Sequence, residues 1–274
     1  SKAHRYLASF IHAGIVEQAG RSGKYDLGTG ALQLGLAALA RHDFVNRAAE
    51  DLPELCAETG LTGLLSVWGN QGATVVRWER TASPTITSMG LGTTLPLLHS
   101  ATGRAFLAWA PSGPIRPLLD AELRRDCDAA IRHGSKSFMA ASMLLPARSR
   151  FAARALYAFC RSSDDLIDDD VGGGFATVRL RHRLDRIYAG RPANTPGDRA
   201  FAAAVRHFGI PRYVPDAMVE GFEWDEQNRR YASIDDLCDY AARVAGTVGL
   251  MMCIIMETRQ RSVLSRAGDL GLAM

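Results

Sequence analysis

Hydrophobic and polar positions change rhythm part-way along this chain. Up to about residue 115, short β-type runs alternate with helical stretches; beyond it almost every segment has the three-and-four spacing of an amphipathic helix. In the first part, Tyr6, Leu7, Phe10 and Ile11 fall at helical spacing within Ser1–Gly14, and Gly14 ends the helix. Ile15–Leu27 predicts a short hairpin whose Gly-flanked turn carries Arg21 and Lys24. Leu64–Trp68 and Ala73–Trp78 predict strands. Pro111–Pro117 (PSGPIRP) is rich in breakers and predicts the boundary between two units. In the second part, Asp120–His133 predicts a helix with Leu123, Cys127, Ala130 and Ile131 inward. The apolar run Ala152–Cys160 leads straight into Asp164-Asp165-Leu166-Ile167-Asp168, so that helix is expected to be buried where its acids begin. Val244–Met256, a 13-residue run between Arg243 and Glu257, is too short to span a bilayer and predicts a buried helix; no transmembrane segment is expected.

Composition narrows this picture only a little. The 274 residues suffice for one or two domains with a sizeable core, and a hydrophobic content of 47% is ordinary. A net charge of +3 does not by itself argue for nucleic acid or membrane. Five cysteines are scattered without a CxxC or a Cys/His cluster, which argues against a zinc site and a disulfide framework and for a reducing cytoplasm. No signal-peptide pattern opens the sequence.

The candidate chemistry lies mostly in the helical part. Asp164 and Asp168 are four apart, which puts both carboxylates on one helix face a turn from each other. Two like charges that close repel unless a cation joins them, and hard oxygen ligands suit Mg²⁺. A solvated acidic helix end is the alternative. Arg161, three residues earlier, fits a site that neutralises an anion. Arg154 and Arg161 are two turns apart and share a face with Tyr157. Gly134-Ser135-Lys136-Ser137-Phe138 brings hydroxyls and a cation to a helix start, which suits phosphate; an ordinary serine N-cap is the alternative. Ser233 is an expected N-cap with Asp235 and Asp236 in the first turn. Gly246 and Gly249 lie mid-helix, at a cost of about 1 kcal/mol each relative to alanine. Close approach of a ligand or of a neighbouring helix would explain them. At the other end, a basic helix followed by a basic-tipped hairpin suits a winged helix-turn-helix, and any small α/β hairpin is the alternative.

Two resemblances organise these pieces. Ser1–Gly35 resembles the recognition helix, wing and linker of IclR-type transcriptional regulators, and Leu95–Ala110 (LPLLHSATGRAFLAWA) resembles their effector domain. That resemblance implies Ser1, Lys2, His4 and Arg5 on a DNA-facing helix and DNA contact through residues 1–27. Residues 121–274 resemble the phytoene and squalene synthases, through HGSKSF (133–138), LLPARSR (144–150), ALYAFCRSSDDLIDD (155–169), GFEWDEQNRRYAS (221–233) and DYAARVAGTVGLMM (239–252). It looks closest to bacterial phytoene synthases.

The second resemblance implies a head-to-head condensation of two prenyl diphosphates, geranylgeranyl diphosphate to phytoene or farnesyl diphosphate to a squalene-type product. It implies Mg²⁺ on Asp164 and Asp168. It also implies that Ser135, Ser137, Arg154, Tyr157 and Arg161 meet diphosphate, that Tyr240 lies near the reacting carbons, and that Val244, Gly246, Val248, Met251 and Met252 lie along an apolar tunnel. An apolar product implies peripheral membrane contact. Asp225, Asp235 and Asp236 match other positions of the family and are expected to be surface or capping residues. The family's second aspartate-rich helix is not found in residues 1–274, so weak or no turnover is expected of the sequence as given. The expected architecture is a winged-helix remnant (1–30) and a partial α+β effector domain (31–117), then an all-α isoprenoid-synthase-like bundle (118–274), incomplete. A DNA-binding regulator and a chimera of two fragments with no single function are the alternatives.

Overall fold

A computed structural model of the chain describes residues 2–19, 23–41, 43–80, 89–169 and 175–273. It forms two compact units that divide at Leu95/Pro96.

The first unit is small and mixed. Helix α1 (Lys2–His12) ends at Gly14, whose φ of +69° suits glycine, and strands β1 (Val16–Ala19) and β2 (Lys24–Leu27) pair antiparallel. The expected helix and hairpin are therefore present, although Ser1 and Arg21 lie outside the described residues. No residue of α1 is buried, and Lys2, His4 and Arg5 are exposed on it. A winged-helix remnant finds no support in this arrangement. Helix α2 (Thr29–Ala40) has no buried residue either. Helix α3 (Asp43–Thr59) buries Val45 and Cys56 and packs on a three-stranded antiparallel sheet of β3 (Gly63–Gly69), β4 (Gly72–Glu79) and β5 (Thr94–Leu95), in the order β3-β4-β5.

The second unit is helical: α4 (Ala101–Trp109), α5 (Ser112–Gly134), α6 (Lys136–Met143), α7 (Ala147–Asp168), α8 (Ala176–Tyr188), α9 (Pro196–Phe208), α10 (Tyr213–Glu226), α11 (Ile234–Ala241), α12 (Thr247–Ile255) and α13 (Arg261–Ala273). The breaker-rich Pro111–Pro117 opens α5 instead of ending a unit. Pro111 stands at the N-cap and Pro114 in the first turn, where a missing N–H costs nothing; Pro117, further in, gives up a helix hydrogen bond. Leu97 and Leu98 are buried, and both backbone amides donate to Glu122 of α5. This clasp ties the segment before α4 to the helical unit, which is why the division falls at residue 95 and not at 117.

Helix α7 is central because its sequence lets neighbours approach. Ala155 and Ala158 meet Cys127 of α5 and Ala200 of α9, where larger side chains would hold the helices apart. Its other buried face carries Leu156 and Phe159 into a core with Leu180, Leu184, Phe201, Met218, Met251 and Ile255. Phe159 stacks on Phe201 at 4.3 Å, and full burial of such a ring stabilises by about 1.5–3 kcal/mol. Helix α9 starts where the Thr195 side chain accepts the Asp198 amide, with Pro196 next, and stops at left-handed Gly209. Among the described residues one helical stretch, Ile234–Ile255, is long and apolar enough to cross a membrane. A core helix passes the same test, and this stretch holds fully buried Met251 and Ile255.

Candidate active site

The acidic end of α7 emerges from the core at residue 161. Arg161 contacts Asp164 Oδ2 at 3.4 Å and Asp165 Oδ1 at 2.8 Å, and all three side chains are about half exposed. One guanidinium therefore serves two carboxylates, and Asp168 follows on the same face. The Asp164 carboxyl is held above the ordinary carboxylate range, first by burial and then by the charge of Asp168; Arg161 opposes the shift, and Asp165 and Asp225 add to it. Beneath it, burial and the Asp164 charge push the Cys160 thiol up to about 12.

Helices α10 and α11 add to the acidic group. The Tyr240 hydroxyl donates to Asp225 Oδ2 at 2.9 Å. Burial raises the Asp225 carboxyl; the Tyr240 hydrogen bond opposes this, and the Asp168 charge adds to it. The Tyr240 phenol is pushed well above its ordinary value by burial, by its bond to Asp225 and by the surrounding carboxylates. Tyr240 packs on Tyr231 at 5.1 Å, and the guanidinium carbons of Arg229 and Arg243 lie 3.9 and 4.3 Å from the centre of the Trp224 ring. Glu226, next to Asp225, accepts from the Ala176 amide and the Thr177 hydroxyl, which ties the end of α10 to the start of α8. Hard carboxylate oxygens in excess over their cations fit a divalent metal.

The segment before α6 meets α7 through Tyr157. A side chain at Gly134 would collide with the Tyr157 hydroxyl, so glycine lets the turn close on that ring. Phe138 packs on the same ring at 6.0 Å. Ser135 caps α6 by accepting the Phe138 amide, and its hydroxyl is 3.1 Å from that of Ser137. Beyond Tyr240 the helix widens into a π turn over Ala242–Gly246, a local irregularity often found at functional sites.

Residues 131–274 match the model of the squalene/phytoene synthase family. The chain belongs to that family. Residues 36–135 separately match the C-terminal domain of bacterial IclR transcriptional regulators, so the two matches overlap at the end of α5. Phytoene synthases of Cereibacter sphaeroides and Rhodobacter capsulatus are 51% and 53% identical, each over 54% of this chain and 44% of their own length. The chain thus spans less than half the length of these curated relatives. Two solved structures share the helical fold, each at a TM-score of 0.51: a dehydrosqualene synthase in complex with ligand (31% identity, 56% of this chain and 54% of that one) and squalene synthase HpnC from Alicyclobacillus acidocaldarius (25%, 55% and 57%).

Within this squalene/phytoene synthase chain, sequence reasoning and geometry agree unevenly. Asp164, Asp168, Arg161 and Tyr240 come together, and Val244, Val248 and Met252 line up on one half-buried helix face against the core. Met251 lies within the core, fully buried. Arg154 is buried and engaged: it contacts Asp128 at 2.6 Å and the Ser142 hydroxyl at 3.1 Å, bolting α5 and α6 to α7. Gly249 faces α13, where the Ala267 backbone leaves no room for a Cβ, so close helix packing accounts for it; at Gly246 a Cβ would meet only ordinary contacts, and it is Gly271 of α13 whose Cβ would collide with the Gly246 backbone. Asp225 is the residue that sequence reasoning missed. It is exposed, as expected, but it also accepts the Tyr240 hydroxyl and couples to Asp168. Asp236 does cap, in a reciprocal box with Ser233.

Proposed function

We propose that the helical unit binds prenyl diphosphates and joins two of them head to head, geranylgeranyl diphosphate to phytoene, in the cytoplasm. The single observation that carries this reading is the excess of carboxylates over cations where Asp164, Asp168 and Asp225 meet. Asp164 and Asp168 would hold Mg²⁺, which supplies positive charge for a departing diphosphate. Arg161, now shared between Asp164 and Asp165, is free to swing to the diphosphate once a cation relieves those carboxylates. Ser135, Ser137 and Tyr157 offer hydroxyls where the α6 turn meets α7. Tyr240, fixed by Asp225, presents its ring beside the reacting carbons, and Val244, Val248 and Met252 exclude water from the isoprenoid tail.

The test is calorimetric binding of a non-hydrolysable geranylgeranyl diphosphate analogue with and without Mg²⁺, followed by product analysis with the true substrate. Mg²⁺-dependent binding that Asp164→Asn with Asp168→Asn abolishes supports the reading. Binding that ignores Mg²⁺ or survives that double substitution overturns it. For residues 36–135 the regulator-domain match favours a second reading, an effector-sensing domain. Ligand-induced thermal shifts across a panel of small carboxylic acids would test it.

A further inference from the structure

A second group of metal-ligating side chains lies apart from the α7 and α10 carboxylates. Glu122 and Asp126 are four apart on α5, so their carboxylates share one face. His99 reaches them from the segment before α4, with Nε2 3.0 Å from Asp126 Oδ2. One ligand atom from each of the three lies within 4.8 Å of the others.

Glu122 is the anomaly. It is 6% exposed, and a carboxylate that buried is ordinarily paired with a cation or bound to a metal. Among the described residues its recorded partners are two neutral groups: the Leu97 amide at 2.8 Å and the Leu98 amide at 2.9 Å, one to each oxygen. Each oxygen keeps a second lone pair. Those amides orient the carboxylate as outer partners orient a metal ligand. His99 and Asp126 are more open, with side chains 54% and 27% exposed, which leaves room for water in the remaining positions.

We propose that His99, Glu122 and Asp126 form a site for a divalent transition-metal ion, with Zn²⁺ the fitting chemistry. An imidazole with two carboxylates suits Zn²⁺ better than Mg²⁺, which prefers oxygen alone. Donors on one such ion stand about 3–3.5 Å apart, given Zn–N and Zn–O bonds of about 2.0–2.2 Å, so the His99–Asp126 contact is already near that spacing. A bound ion would supply the charge that Glu122 lacks and would pin the Leu97–His99 segment to α5. The cysteine count argued against a zinc site because it tests thiolate sites; it is blind to a histidine 23 residues before the first of two carboxylates.

The site uses none of the residues proposed for diphosphate, so the two readings fail independently. The full chain, stripped with chelator, would be titrated with Zn²⁺ in a calorimeter and with Co²⁺ by visible absorption. With Mg²⁺ in excess to occupy the α7 carboxylates, we expect one transition-metal ion per chain, nitrogen and oxygen coordination, and a loss of affinity of at least about tenfold in His99→Ala and in Asp126→Asn. Asp164→Asn should leave it unchanged. His99→Ala replaces an exposed side chain, and metal-free thermal unfolding would verify that it folds as the parent does. Three results would each overturn the proposal: no binding, binding indifferent to His99→Ala, or intense thiolate charge-transfer absorption with Co²⁺.

Discussion

Two sets of arginine and aspartate side chains flank α7, and they are built on opposite terms. On one side Arg183 grips Asp198 through three contacts of 2.5 to 3.2 Å and donates to the Ser162 hydroxyl at 2.8 Å. Asp198 is fully buried, and Arg183 also lies over the Phe159 ring at 5.3 Å. Asp164 is two residues beyond Ser162, about 200° around the helix, and there Arg161 is divided between two half-exposed carboxylates with Asp168 and Asp225 adding charge. The first set matches one charge to one charge, with Asp198 wholly inside and Arg183 largely so. The second is short of positive charge and open to water. The matched, buried set holds this fold; the mismatched, accessible set on α7 is the candidate site.

The sharpest way to break that contrast is to remove one partner from each set. Asp198→Ala strands the Arg183 guanidinium in the core and should cost about 3–5 kcal/mol, read as a lower urea midpoint. Adding Arg183→Met should recover much of that loss, because the uncompensated charge goes with it. If Asp198→Ala instead costs under about 1 kcal/mol, burial and matching are not what distinguish the two sets.

Asp164→Asn should do the reverse. Mg²⁺-dependent binding of the diphosphate analogue should weaken by about tenfold or more, while the fold stays as stable or gains. The pH dependence gives the sign. The folded-state carboxyl of Asp164 is raised, so the folded chain holds its proton where the unfolded chain has released it. Stability therefore falls as pH rises from the ordinary carboxylate range through the raised value, and Asp164→Asn removes that fall. Melting temperatures of parent and variant should converge near pH 4 and separate in favour of the variant towards pH 7; a gap of the opposite sign would refute the surplus-charge account.

These outcomes also explain what could be read in advance. The Asp164–Asp168 pair was legible because its geometry is local: four residues on a helix fix a shared face whatever surrounds them. The α7 core face, the hairpin and the strands were legible for the same reason, since periodicity reports local shape. Asp225 was not, because its meaning comes from Tyr240 and Asp168, fifteen and fifty-seven residues away, and in sequence it looks like any charged helix end. Arg154 shows the opposite error. Its face was inferred correctly, but not that Asp128 waited on that face. The breaker-rich Pro111–Pro117 misled because proline is a helix starter as well as a helix breaker, and only the Glu122 clasp decides which.

Asp225 and Tyr240 test whether the mismatched set works as a unit. Each of Tyr240→Phe and Asp225→Asn should cost about 1 kcal/mol or less in stability, since the hydrogen bond they share is exposed. Their effects on Mg²⁺-dependent analogue binding should be non-additive, with a coupling of about 0.5–1.5 kcal/mol in a double-mutant cycle. Strict additivity would mean that the bond does not position Tyr240.

The smallest change in stability separates the two arginines most cleanly. Arg161→Ala removes two exposed contacts and should shift stability by about 1 kcal/mol or less, in contrast to any substitution of Arg183. Its effect on ligands should split in sign. Without the guanidinium, Asp164 and Asp165 lose their nearest competing cation, so Mg²⁺ alone should bind more tightly. The diphosphate analogue in the presence of Mg²⁺ should bind more weakly, because a donor to its oxygens is gone. A purely structural arginine would move both affinities together and lower the melting temperature. Tighter metal, weaker diphosphate and an unchanged fold is the pattern that only a shared, poorly matched cation produces.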